Sequence, residues 1–116
     1  MANVTGPIIM DGVTLTAGAA DVTSDTLIVS PHGGTVVVWL TNGATGPTVA
    51  AQVQPQVSVD GAKWGDHGGA LVAGVVATIP YSWTVDIPDG INMARFVCGS
   101  NTDEDVTVTI HGQAVD

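Results

Sequence analysis

AAQVQPQVSVDGAKW, from Ala50 to Trp64, alternates two kinds of side chain with a period of two. Ala51, Val53, Pro55, Val57 and Val59 fall on one parity; Gln52, Gln54, Gln56, Ser58 and Asp60 fall on the other. Such alternation predicts a strand with one side on a core and the other in water. Asp60-Gly61 is a pair that tolerates left-handed backbone and reverses a hairpin, and Trp64 opens the return strand with a large apolar anchor. The wet side is a row of neutral hydrogen-bonding groups, not an acid–base cluster. That surface is suited to touching a partner, not to transforming one.

Outward from this stretch the strand signals continue. Thr26–Ser30 stops at Pro31-His32-Gly33-Gly34, and Thr35–Thr41 (TVVVWLT) is continuously apolar, as expected of a central strand covered on both sides with Trp39 in the core. Thr48–Asp60 is the long alternating strand; Pro55, which lacks an amide donor, predicts an edge position or a bulge there. Ala70–Ile79 follows a glycine-rich loop. Tyr81–Ile87 then alternates again, with Tyr81, Trp83, Val85 and Ile87 on one side. Pro88-Asp89-Gly90 turns the chain into Ile91–Gly99, and the closing strand points Val106, Val108 and Ile110 inward and Thr107, Thr109 and His111 outward. About eight strands at this spacing predict an all-β chain with a single two-sheet sandwich, jelly-roll-like ahead of immunoglobulin-like. Residues 1–25 read as an extended N-terminal arm, followed by the sandwich over 26–116. Ile8, Ile9 and Met10 are the arm's apolar contacts, either frayed or ordered against a neighbouring subunit.

Length and composition agree. A chain of 116 residues buries roughly 65% of its unfolded surface, enough for one core without staples. Lys63 and Arg95 are the only fixed cations against eleven acids, for a formal net charge of −9. So acidic a surface repels phosphate backbones and anionic bilayers, which disfavours nucleic acid and membrane as partners. The first ten residues lack a basic region and a long apolar core, and the lone Cys98 has no internal disulfide partner, consistent with synthesis in a reducing cytoplasm. A mean hydropathy of +0.37 and exposed sheet edges suggest self-association, with a homotrimer as the expected state.

Catalytic and metal motifs are weak, and no cofactor is implied. His32, His67 and His111 have no metal-ligand spacing, and Asp103-Glu104-Asp105, Asp86 and Asp89 do not follow a calcium-loop pattern. There is no G-x-S-x-G, and Cys98 has only Arg95 near it in sequence, so the expectation is a protein that is not an enzyme. Trp64 is read either as a core anchor or as a partly exposed platform.

With SVDGAKW at residues 58–64, ARFVCGS at 94–100 and VTVTIHG at 106–112, the chain resembles β-sandwich decoration (cement) and head-fibre-base proteins of tailed bacteriophages. The resemblance covers roughly residues 35–114. It implies a virion structural protein, made in the host cytoplasm, that decorates and stabilises the assembled capsid on its outer surface through symmetric contacts with the major capsid protein. The contact candidates are Gln52, Gln54, Gln56, Asp60, Gly61 and Trp64. The same motifs also resemble discoidin-like galactose-binding jelly rolls, which implies the alternative of a carbohydrate-binding module on a virion fibre or secreted protein. The chain is shorter than those modules and lacks their terminal disulfide and arginine-rich loops.

Overall fold

Side-chain alternation organises the structure, a computed structural model that describes residues 4–5, 8–29, 33–88 and 90–115. The strands are β1 (Val4–Thr5), β2 (Ile8–Leu15), β3 (Val22–Thr23), β4 (Leu27–Ile28), β5 (Gly34–Asn42), β6 (Gln52–Ser58), β7 (Gly65–Asp66), β8 (Leu71–Val72), β9 (Pro80–Ile87), β10 (Met93–Gly99) and β11 (Val106–Val115). All pairings are antiparallel. The first sheet runs β1-β11-β5-β9, with β2 following β1 along the same edge of β11. The second runs β3-β10-β6-β7, with β4 beside β3 on β10 and β8 beside β7 on β6. Counting each tandem pair as one position, both sheets have four positions, and the chain crosses between them at nearly every step. That is jelly-roll order.

The core lies between the sheets. Val36, Val38 and Leu40 of β5, Val106, Val108 and Ile110 of β11, and Val85 and Ile87 of β9 meet Val53 of β6 and Ala94, Phe96 and Cys98 of β10. Phe96 is the largest fully buried side chain. Gly112 of β11 makes room for Leu27, since a Cβ there would stand 2.6 Å from Leu27 Cδ2.

The structure corrects five expectations, the first at the end of the opening alternation, where Ser58 is buried and Val59 exposed, the reverse of their parity. The segment read as an arm is partly core: β2 pairs with β11, and Ile9, Met10 and Leu15 are buried. Widely spaced apolar residues hid this, because bulges interrupt the register of β2 between Val108 and His111 and so break its alternation. Trp39 points away from the core. β5 keeps a strict period of two, so Val36, Val38, Leu40 and Asn42 take the inner places and Trp39 the outer side, half-buried. A continuous apolar run conceals that parity. Pro55 occupies neither a free edge nor a bulge of the β6–β10 ladder, where it pairs in register with Phe96. Its carbonyl accepts from the His67 amide, so its missing donor points to the edge of β6 away from β10, at the break between β7 and β8. Finally, Ala70–Ile79 forms only the short β8. Beyond it, the Asn42 side chain captures the Gly74 and Val76 carbonyls at 3.0 and 2.9 Å in place of a sheet partner.

Candidate functional site

The outer side of the second sheet gathers most of the sequence-derived contact residues. Gln52, Gln54 and Gln56 project from β6, each half-buried. Gln56 faces Arg95 across the β10 ladder and Asp66 across the β7 ladder, and it uses both ends of its amide: Arg95 Nε donates to Oε1 at 2.9 Å, and Nε2 donates to Asp66 Oδ1 at 3.2 Å. Gln54 Nε2 donates to the carbonyls of Pro55 and Gly68 at 2.9 and 3.2 Å. Trp64, two residues before Asp66 and so on the same side, is half-buried beneath the Arg95 guanidinium, whose carbon lies 4.2 Å from the ring centroid. Trp64 is thus neither a core anchor nor a free platform. Arg95 was the residue that sequence reading missed. Part of its signal was available, since it shares the outward parity of Met93 and Val97; its register opposite Gln56 was not.

Asp60 and Gly61 form the hairpin tip. Asp60 Oδ1 accepts from the amides of Ala62 and Lys63 at 2.9 and 3.0 Å and from Ser58 Oγ at 3.2 Å. The Lys63 and Ala62 amides hold its carboxyl below the ordinary 3.8, although the group is fully exposed. Gly61 has φ +77°, and its amide donates to Ser58 Oγ at 2.8 Å. The tip is therefore built by its own side chains, with Val59 exposed beside it.

The first sheet presents a different outer side. Trp39 sits on the middle strand between Thr109 of β11 and Ser82 of β9. Around it lie Thr41, Thr107 and Thr84, all exposed, and Val37. Asp86 is the acid at this side's border, 3.5 Å from Thr35 Oγ1.

Other candidate groups are dispersed. His32 and Asp89 lie outside the described residues. His67 Nε2 donates to the Asp86 carbonyl at 2.9 Å, tying the margin of the second sheet to β9, while His111 is on β11. Asp105 Oδ1 accepts from the Ala17 amide at 2.9 Å, and buried Asn101 donates to the Leu15 and Glu104 carbonyls, so the acidic turn anchors the loop after β2. Among the described residues, no group of three or more His, Cys, Asp or Glu side chains is placed to hold a metal ion. Burial, followed by the charge of Asp21, pushes the Cys98 thiol up to about 12. Ile9 and Met10 face the core, and Ile8 pairs with His111 by its backbone.

No family model matches this chain, and no curated protein matches it in sequence. Solved structures do match in shape. The K3 adhesin domain of Lys-gingipain from Porphyromonas gingivalis W83 superposes at TM-score 0.57 with 14% identity, over 96% of this chain and 73% of that one. The SPBc2 prophage-derived protein YomS gives TM-score 0.57 and 12% identity over 98% of this chain and 96% of that one. A family 16 carbohydrate-binding module gives 0.55 and 13% over 84% and 71%. At these identities the likeness is one of fold: a β-sandwich shared by adhesin, carbohydrate-binding and prophage-derived proteins.

Proposed function

We propose that the protein is a non-catalytic virion structural protein that decorates and stabilises an assembled phage capsid, docking on the major capsid protein at the outer capsid surface as a homotrimer. The observation that carries this reading is the ordered outer side of the second sheet. There Gln56, Arg95, Asp66 and Trp64 are held by one another, and Gln54 beside them is held by the Pro55 and Gly68 carbonyls. Side chains fixed before binding lose little rotamer freedom on docking, which favours a protein partner with a fixed surface. Further support comes from the near-complete overlap with a prophage-derived protein, whose chain is this sandwich and little more.

A second reading, carbohydrate binding, is favoured by a separate observation. Trp39 stands amid hydroxyl groups on the first sheet, an aromatic surface with donors and acceptors suited to a polyol, and one shape neighbour is a carbohydrate-binding module. Titration onto intact, expanded capsids and onto a glycan array separates the two. Decoration predicts binding that saturates at a symmetry-related copy number, weak affinity for isolated capsid subunits, and greater resistance of the shell to heat through linkage. Array binding without saturable shell binding would overturn it.

A further inference from the structure

We propose that the Trp64–Arg95 pair is a docking site for a carboxylate: an aspartate or glutamate side chain on an acidic segment of the partner protein. The proposal rests on the docking reading above and specifies what that surface recognises. The chain holds one lysine and one arginine against eleven acids, and that one arginine stands on the outer side of β10. Lys63 directly precedes Trp64, and Arg95 lies over the Trp64 ring at 4.2 Å. In a chain of net charge −9 this arginine is a local exception: a carboxylate is held by short-range paired bonds against a long-range repulsion that salt screens.

Arg95 is held but not neutralised. The ring fixes one side of the guanidinium, and Nε is committed to Gln56 Oε1 at 2.9 Å. Among the described residues it makes no ion pair, so its terminal fork is available for two parallel bonds to a carboxylate. The nearby acids are supplied from elsewhere. Asp66 accepts from Gln56 Nε2, and Asp60 from the hairpin amides and Ser58. The Gln56 amide stands between Arg95 and Asp66, holding both and letting neither close on the other. Stacking on an indole removes water from one side of the guanidinium, which strengthens any bond it makes to an incoming anion.

The surroundings favour a peptide over an acidic sugar. Ile28 faces Met93 in register, two residues along β10 from Arg95 on the same side. Ile28 is 57% exposed, apolar area that a protein partner covers and a hydroxyl-rich polymer does not.

One arginine and three tryptophans make the test direct, because the Arg95 Nε–H gives a single nitrogen-15 signal and the indoles three. The full-length protein is titrated with hexaglutamate, with hexaglutamine as neutral control, and with hexagalacturonate. The expected result is a saturable shift of the Arg95 and Trp64 signals by hexaglutamate, absent with hexaglutamine and weaker with hexagalacturonate. Arg95→Lys, which keeps charge but loses the fork, should weaken the hexaglutamate titration about tenfold. Equal shifts from all three probes, no shift at all, or an unchanged Arg95→Lys titration would overturn the proposal. Shell binding separates its failure from that of the docking reading. If Gln56→Ala abolishes capsid binding while Arg95→Gln leaves it intact, the carboxylate site is wrong and the docking surface stands; if neither variant changes capsid binding, the docking surface is wrong as well.

Discussion

The two outer sides of this sandwich share a backbone geometry and differ in how their side chains are spent. On the second sheet Gln54 and Gln56 commit their amides to Arg95, Asp66 and nearby carbonyls, and the Trp64 ring lies under a cation. On the first sheet, among the described residues, Thr14, Thr41, Ser82, Thr84 and Thr107 make no side-chain hydrogen bond within the chain, and Thr109 only receives one from the Gly12 amide. One side is a fixed pattern; the other is a field of rotatable hydroxyls around a tryptophan. A fixed pattern selects a partner of matching shape at low entropic cost, whereas free hydroxyls adapt to many polyol arrangements. On the function proposed above, protein docking belongs to the second sheet and any sugar affinity to the first.

The largest effect tests whether the first sheet exists as described. Removing residues 2–16 strips β2 from β11 and exposes the surface that Ile9, Met10 and Leu15 cover. At about 1.5–3 kcal/mol for each buried side chain, the loss rivals the 5–15 kcal/mol that holds an ordinary domain together. The shortened chain should show no cooperative thermal transition by circular dichroism. A sharp melt near that of the full chain would restore the arm and remove the edge of the first sheet from the comparison.

Next comes the contact between the sheets. Cys98 points inward from β10 with its Sγ 3.7 Å from Met10 Sδ of β2, so ionising it charges the interior that joins both sides. Its thiol is raised from 9.0 to about 12. A proton held more tightly in the folded state stabilises that state below pH 9.0, and this contribution declines as pH rises from there through about 12. Stability in urea should fall by ~1.4 kcal/mol per pH unit over that window, and Cys98→Ala should flatten the slope. An unchanged slope in the variant would show that another group governs alkaline unfolding.

A smaller but more discriminating effect separates the two tryptophans. Trp64→Ala should weaken capsid binding about tenfold or more, as for an interface anchor, and leave any glycan signal alone; Trp39→Ala should do the reverse. Surface plasmon resonance on immobilised particles and on glycan-coated surfaces measures both. If Trp39→Ala weakens capsid binding as much as Trp64→Ala does, both sides dock on protein and the division of labour fails.

Much of this was legible in the sequence because period-two alternation fixes a side chain's orientation without tertiary knowledge. Val53, Val85, Val106, Val108 and Ile110 are inward as their parity requires, and so the two-sheet sandwich followed. Legibility failed where parity was hidden. In TVVVWLT both parities are apolar, so Trp39 was assigned to the core; in β2 the bulges broke the pattern, so a core strand read as an arm. The site was half visible. The Gln row announced a wet face, but the stacking of Arg95 on Trp64 joins residues 31 positions apart in sequence, and only the pairing of β10 with β6 brings them together.

The smallest effect supplies the control that the others need. Thr78 has φ +60°, a left-handed conformation that a β-branched residue adopts at a cost, in the loop before β9 and away from both outer sides. Its amide bonds the Gly43 carbonyl at 2.9 Å, which holds the turn in place whatever the side chain is, and glycine gives up only the exposed bond from Thr78 Oγ1 to the Ala77 carbonyl at 2.7 Å. Relief of that conformation is worth ~1–2 kcal/mol, against ~0.5–1 kcal/mol for glycine's greater freedom in the unfolded chain. Thr78→Gly should therefore gain about 0.5–1 kcal/mol, seen as a melting temperature a few degrees higher. Neither capsid nor glycan binding should move, because a stabilised scaffold leaves the Gln56–Arg95–Trp64 strip and the Trp39 surface as they were. A variant that melts higher and also binds its partner differently would mean that the loops at this end, where Val75, Val76 and Ile79 are exposed, belong to the contact surface. The comparison would then be among three regions, not two.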